Sequence, residues 1–376
     1  MSLRLAVDGR ELRAGVRTGI RRYTLEVLRA AVTRGLDCVL YGDGSTEFDA
    51  IPPAVRRVVL DHRVTPWWDQ VTLPAALRRD GADVFLSPYY KRPLAAPCPV
   101  VVTVHDLFFI GYPGRRRPLY DATMTRLARL YARGADAIVA DSEHSRRAIV
   151  ARLGIDAGRI AVIPVGLGPE FRPAAPSMAQ RDRYGLGPRY ALYVGNFLPH
   201  KNLPRLLRAW AGLTEPLRAA HRLVLAGGDA ARRPALEALA VSLRLDGHVG
   251  FPGVVDDADL PALYGGAALL VLPSLEEGFG LPALEAMACG APVMAGRRGA
   301  LPELVGDAGL LVEPEDERAL AAAMARVLGS EAERQTLARR GLERAARFTA
   351  EATAGRVVDL LQATASPRPA LSERAR

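Results

Sequence analysis

Thirteen short apolar runs, spaced by longer amphipathic stretches, constrain this chain more than any other feature. In the first half they are Leu3–Val7, Cys38–Tyr41, Arg57–Leu60, Val84–Ser87, Val100–Val104, Ala137–Ala140 and Ile160–Pro164. In the second half they are Tyr190–Val194, Leu223–Ala226, Val249–Phe251, Ala268–Leu272, Pro292–Ala295 and Leu310–Val312. Unbroken apolar runs of this length read as strands buried on both faces. Strands alternating with helical patterns imply parallel sheets with crossover helices. Two such series predict an α/β chain of two doubly wound, Rossmann-like domains. Such sheets bind ligands beyond the carboxyl ends of their strands, so two facing domains place a ligand in the cleft between them. The proline-rich stretch Gly168–Pro176, GPEFRPAAP, marks the boundary. The first domain is expected over 1–172 and the second over 173–350. Residues 366–376, SPRPALSERAR, lack apolar content and are expected to be disordered.

The 376 residues suffice for two cores. No apolar run approaches the roughly 18 residues of a membrane span. The N-terminus enters a strand directly and has no signal-peptide pattern. Cys38, Cys98 and Cys289 lie far apart and have no metal-site spacing; Cys38 and Cys289 sit in apolar contexts. These features fit a reducing cytoplasm. The net charge of +9 is uneven. Residues 1–172 carry 26 Lys/Arg against 18 Asp/Glu, and residues 173–376 carry 24 against 23. The basic half is open to three readings: nucleic acid, an anionic membrane on whose inner face the protein sits peripherally, or arginines on solvated helix faces. No recognition-helix or stacking motif supports the first.

The chemistry is concentrated between Leu269 and Val293, LLVLPSLEEGFGLPALEAMACGAPV. A buried strand leads into a glycine-bearing loop, Ser274–Gly280, and then into a helix with Pro282 at its start. The N-terminus of that helix offers free N–H groups and partial positive charge to a phosphate. Gly278 and Gly280 let a ligand approach the backbone. Glu277 and Glu285 flank the loop at a Glu-x7-Glu spacing. Carboxylates repel phosphates but accept hydrogen bonds from sugar hydroxyls. A phosphate cradle between two hydroxyl acceptors suits a nucleotide sugar. Taken singly, either glutamate is as well explained as a helix-entry acid.

The string EEGFGLPALEAMACGAPV resembles the signature of the retaining family-four glycosyltransferases, which have the GT-B fold, and the pattern is similar to that of bacterial mannosyltransferases. The resemblance covers nearly the whole chain and is strongest from Tyr190 to Glu313. It implies a retaining transferase that moves a sugar from a nucleotide diphosphate to an acceptor hydroxyl, in glycan, glycolipid or natural-product biosynthesis. It implies no metal or other cofactor. Asp257-Ala-Asp259 has the letters of a metal motif but reads as a helix start. A helix over 351–365 is expected to cross back to the first domain. His105, delivered with Asp106 to the end of Val100–Val104, would touch the donor sugar. Lys201 would neutralise the diphosphate. Glu277 would hold hydroxyls of the donor sugar, and Glu285 those of the ribose.

The resemblance further assigns the donor to Gly19, Gly195, Asn196, Gly227, Phe251, Val254, Gly278, Phe279, Gly280 and Leu281. Relatives commonly carry arginine where this chain has Asn196. His200 or an arginine of the first domain would then have to supply a second phosphate cation. Gly15, Arg17, Thr18, Arg21 and Arg22 fall in or beside a glycine loop facing that diphosphate. Trp67, Trp68, Tyr89 and Tyr90 fit either an acceptor sugar, lipid-linked or free, or simple packing. Phe108–Ile110 followed by Arg115–Arg117 fits a membrane-touching segment or an ordinary loop. Ser142 reads as a helix cap, and Glu303 as structural. A sugar-nucleotide epimerase or a phosphorylase of the same fold is the competing enzyme reading. A basic nucleic-acid-binding protein is the non-enzymatic one.

Overall fold

The computed structural model describes residues 2–13, 19–61, 64–111, 117–228 and 230–365. Gly15, Arg17, Thr18, Arg115, Arg116 and the 366–376 tail lie outside them.

All thirteen apolar runs form strands. The first seven are β1 (Arg4–Asp8), β2 (Asp37–Gly42), β3 (Arg56–Val59), β4 (Val84–Ser87), β5 (Val100–Val104), β6 (Ala137–Ala140) and β7 (Ile160–Val162). They make one parallel sheet in the order β3-β2-β1-β4-β5-β6-β7. The next six are β8 (Tyr190–Gly195), β9 (Arg222–Gly227), β10 (Val249–Gly253), β11 (Leu269–Leu272), β12 (Val293–Gly296) and β13 (Leu310–Val312). They make a second parallel sheet in the order β10-β9-β8-β11-β12-β13. Every residue of β4, β5, β6, β11 and β12 is buried, as helices covering both faces require. The edge strand β3, RRVV, is mostly exposed, and its two arginines guard it against further pairing. Strand order reverses between β1 and β4 and between β8 and β11. These two switch points are where ligands bind in open α/β sheets.

Six helices shape the switch points and the join between the sheets. They are α1 (Gly19–Thr33), α2 (Glu143–Leu153), α3 (Leu203–Ala211), α4 (Leu281–Ala288), α5 (Leu301–Val305) and α6 (Ala350–Ala365). Ser142 caps α2 by accepting the Ser145 N–H. The chain crosses between the sheets twice, and the two passages touch. Leu167 donates its N–H to the Phe348 carbonyl (3.0 Å) and accepts from the Ala350 N–H (2.9 Å). Thr353 Oγ1 donates to the Pro164 carbonyl at 2.7 Å. A Cβ added at Gly166 would collide with the Thr349 backbone, so this crossing needs glycine. Beyond it, Ala354, Val357, Val358 and Leu361 of α6 enter the core built by Leu5, Val7 and Leu28 of the first sheet and α1.

Leu361 is fully buried in that core. Leu361→Ala is expected to cost about 2–5 kcal/mol, although the residue lies far from the first domain in sequence. Fluorescence-detected unfolding in a Trp210→Phe background leaves Trp67 and Trp68 as reporters of the first domain. Their transition should shift to lower denaturant. An unchanged transition would show that α6 does not stabilise the first sheet.

Candidate active site

The ends of β5 and β6 in the first sheet and the β8–β11 switch point of the second face a common cleft of about 420 Å³. From the first domain, β5 ends at Val104 and delivers His105 and Asp106. His105 Nδ1 shares a 2.7 Å hydrogen bond with Asp141 Oδ2, and Asp141 sits one residue beyond β6. The imidazole meets the ring of Tyr23 edge-on, at 5.3 Å between centroids, and the Tyr23 hydroxyl is 2.9 Å from Thr103 Oγ1. Nε2 is buried near the Pro88 carbonyl without a well-formed hydrogen bond. Burial opposes protonation of His105. The carboxylates of Asp141 and Asp106 outweigh it and raise the pKa above the usual 6.5. Burial also raises the Asp106 carboxyl, although Oδ1 accepts the Phe108 N–H at 2.9 Å.

From the second domain, the turn after β8 carries Asn196, His200 and Lys201. Asn202 comes next, in the left-handed region at φ 62°, where a side chain costs energy unless its surroundings hold it. Its buried amide does so, donating to the carbonyls of Pro273 (3.1 Å) and Pro314 (2.6 Å). Lys201 is thereby fixed against β11. Its Nζ donates to Glu277 Oε1 at 2.7 Å, and Ser274 Oγ donates to the same oxygen at 2.7 Å. Only Lys91 and Lys201 are lysines among the 50 basic residues.

The loop between β11 and α4 lies between these groups. Gly278 packs on the first domain, where an added Cβ would collide with the His105 carbonyl. Gly280 takes φ 101°, a conformation glycine alone adopts readily, and turns the chain into α4. Among the described residues, no protein acceptor bonds the N–H groups of Phe279, Gly280 or Leu281. Those three residues also line the cleft, so their donors are available to a ligand.

Glu285 stands apart. It is buried and does not line the cleft. Oε1 accepts from Arg22 of α1 at 2.8 Å, and Oε2 accepts from the Tyr264 hydroxyl at 2.7 Å. Burial raises its carboxyl against the opposing pull of Arg22 and Tyr264. A carboxylate read as an open hydroxyl acceptor is, in this arrangement, an anchor between the domains.

The other sequence-derived candidates divide. Gly19 and Asn196 line the cleft with His105, Lys201, Glu277, Gly278, Phe279, Gly280 and Leu281. Gly195, Gly227, Phe251 and Val254 do not. Gly195 and Gly227 are paired at the ends of β8 and β9, Phe251 packs on Phe197, and Val254 is 81% exposed. His200 is buried against Phe108, 4.5 Å between centroids. Burial and Lys201 push it down to about 4, and it lines the cleft beside Lys201. Arg21 and Arg22 are paired with Glu47 and Glu285. Phe108–Ile110 turns inward, with Phe109 stacked on Tyr90 at 3.8 Å and Ile110 buried, as in an ordinary packed loop. Asp259 holds Tyr184 and Gln180 (2.6 and 2.7 Å) and caps no helix with its side chain.

A second pocket of about 170 Å³ opens at the β1–β4 switch point, lined by Asp8, Arg10, Glu11, Ser87, Tyr89 and Lys91 among others. At its floor the Arg10 guanidinium lies 3.6 Å over the Trp68 ring and pairs with Asp8 (2.6 Å) and Asp69 (2.7 Å). Trp68 and Tyr90 are therefore packing residues, whereas Tyr89 reaches the pocket. Among the described residues, no three His, Cys, Asp or Glu side chains group as metal ligands. Sequence reasoning missed Asp141, Ser274 and Tyr264. Asp141 had a signal: it occupies the same position after β6 that His105 occupies after β5.

Residues 17–171 match the family model of glycosyltransferase family 4, and residues 179–344 match that of glycosyl transferases group 1. The O-antigen chain mannosyltransferase B of Escherichia coli is 31% identical over 355 residues, covering 89% of this chain and 93% of that protein. Sucrose-phosphate synthase of Thermosynechococcus elongatus superposes with a TM-score of 0.80 at 24% identity, over 96% of this chain and 98% of that one. HepE of Anabaena, in complex with UDP and glucose, gives 0.77 at 20% identity, over 96% and 100%. These two likenesses are of fold. The mannosyltransferase relative spans both domains, and with the two matched family models it makes this chain a member of glycosyltransferase family 4, with the GT-B fold.

Proposed function

We propose that the protein transfers a hexose from a nucleoside-diphosphate sugar to an acceptor hydroxyl, with retention at the anomeric carbon and without a metal ion. The observation that carries this reading is the convergence, in one cleft, of three unbonded N–H groups at the start of α4, Lys201 and His105. The N–H groups of Phe279–Leu281 receive the diphosphate. Lys201 and the α4 N-terminus stabilise the charge that develops as it leaves. Glu277 holds hydroxyls of the donor sugar, and His105 approaches the sugar from the first domain. The ribose reaches Glu285 by exchange with Arg22.

The acceptor enters from the β1–β4 pocket. Lys91 and Tyr89 line that pocket, and Pro88 connects it to His105. The bond from the anomeric carbon to phosphate oxygen breaks as the acceptor oxygen bonds the same face of that carbon. The acceptor's proton passes to the departing phosphate oxygen. No covalent glycosyl-enzyme forms on this route, and trapping one would overturn it. Asp141 holds His105, Asp106 accepts from the Phe108 N–H, and Glu277 holds Lys201. The name of the Escherichia coli relative makes a mannosyl nucleotide the first donor to test.

In a thermal-shift panel of UDP, GDP, dTDP and ADP with EDTA, one nucleotide at about 100 times its Kd should add roughly 2.7 kcal/mol to the folded state. Glu285→Ala should abolish the shift, and Glu277→Ala should keep it while lowering turnover. A shift that needs added divalent metal, or equal loss in both variants, contradicts the reading. Release of nucleotide without any acceptor would favour the epimerase alternative.

The His105–Asp141 pair sets a sign for pH. His105 should titrate above 6.5, so its interactions stabilise the fold at low pH and are lost as pH rises through its folded pKa. In Asp141→Asn the burial effect stands with less opposition, and the NMR titration midpoint should fall. An unmoved midpoint would mean that Asp141 does not control the imidazole.

We also propose peripheral contact with an anionic membrane. Among the described residues, no helix is long and apolar enough to cross one. The first domain carries the charge excess, and Trp67, Leu94 and Leu119 are exposed on it (59%, 45% and 86%). Vesicles with anionic lipid should co-sediment the protein, and about 0.5 M salt should release it. Equal binding to neutral vesicles would sink this contact.

A further inference from the structure

The start of α2 in the first domain is occupied by groups from the second. Glu303 of α5 accepts from the backbone N–H of Glu143 (Oε1, 3.0 Å) and of His144 (Oε2, 3.3 Å). The Gly278 carbonyl accepts from Ser142 Oγ (2.8 Å) and Ser145 Oγ (3.0 Å). His144 Nε2 lies 2.6 Å from Glu276 Oε1. Behind the loop, the Glu277 carbonyl accepts from the Ala300 N–H at 3.0 Å, immediately before α5. One helix end thus holds both the loop and the short helix behind it.

The Gly278 carbonyl and the Phe279 N–H belong to one planar, trans peptide unit, so they point in opposite directions. Fixing the oxygen on α2 fixes the N–H facing away from α2. Glycine at 278 allows this, because the loop sits against His105 with no room for a side chain. We propose that Ser142, Ser145 and Glu303 are positioning residues. They aim the phosphate-binding amides when the domains close, and they release them when the domains part. Closure and assembly of the leaving-group site are then one event. This inference rests on the reading of Phe279–Leu281 as the phosphate cradle.

The test compares Ser145→Ala, Glu303→Ala and Glu303→Gln with wild type. Ser145→Ala leaves the helix cap intact, because that cap uses the Ser145 backbone N–H. Ser145→Ala and Glu303→Ala should lower kcat roughly 10- to 100-fold, with KM for the acceptor and the melting temperature close to wild type. Glu303→Gln, which keeps one of the two accepting oxygens and turns an NH2 toward the other N–H, should recover part of the loss. Hydrogen exchange at Ala300, whose N–H holds the Glu277 carbonyl of the loop, should quicken in the two alanine variants. Unchanged kcat and exchange at a native melting temperature would overturn the proposal. So would a fall in melting temperature with kcat preserved. If wild type transfers no sugar from any nucleotide sugar, the parent reading fails, and exchange alone decides the clamp. Quickened exchange supports it and unchanged exchange sinks it.

Discussion

The two domains meet at a peptide with no room for a side chain. Gly278 lies against the His105 carbonyl, and its own oxygen takes two serine hydroxyls from across the cleft. Everything else in the site is placed relative to that contact. β5 and β6 bring His105 and Asp141 to one side, and β8 and β11 bring Lys201 and Glu277 to the other. Any larger residue at 278 would hold the sheets apart, and the donors of Phe279–Leu281 would then face water rather than an enclosed ligand. The fold supplies rigid strands, and one glycine sets how closely they approach.

The cleft and the domain seam beside it hold their charges in matched sets. A buried charge is costly unless paired, and removing one partner of a buried pair costs about 3–5 kcal/mol. Glu277 has Lys201 and Ser274, Asp141 has His105, and Glu285 has Arg22 and Tyr264. Each pair also joins separate elements: Lys201 to the loop after β11, His105 to the end of β6, Arg22 of α1 to α4. The electrostatic groups are therefore in place before a ligand arrives. Preorganisation of this kind spares the reorganisation that water would need around a leaving diphosphate.

The strands were readable because both faces are buried, which leaves unbroken apolar runs such as VVVTV and LLVL. The position of His105 was readable for a related reason, since it lies just past the carboxyl end of β5, whereas Lys201 was legible through its match to the family pattern. The partners were less so. Arg22 and Glu285 are 263 residues apart and lie on different domains. Glu303 reaches α2 from 160 residues away. Such pairings depend on how two rigid bodies are oriented, and helical or strand periodicity carries no information about that. Glu285 shows the result. Its spacing from Glu277 is plain in the sequence, whereas its burial beneath Arg22 and Tyr264 is not.

The chain uses arginine almost everywhere a cation is needed, yet the cleft has lysine at 201 and the β1–β4 pocket has lysine at 91. An arginine fork pairs best with both oxygens of a carboxylate. The compact ammonium of Lys201 uses Glu277 Oε1 alone, and Ser274 shares that oxygen. Among the described residues, no hydrogen bond is made to Glu277 Oε2. A buried carboxylate with one oxygen held and one open can orient a sugar hydroxyl while its charge stays balanced. Arginine at 201 would balance the charge and close the second oxygen.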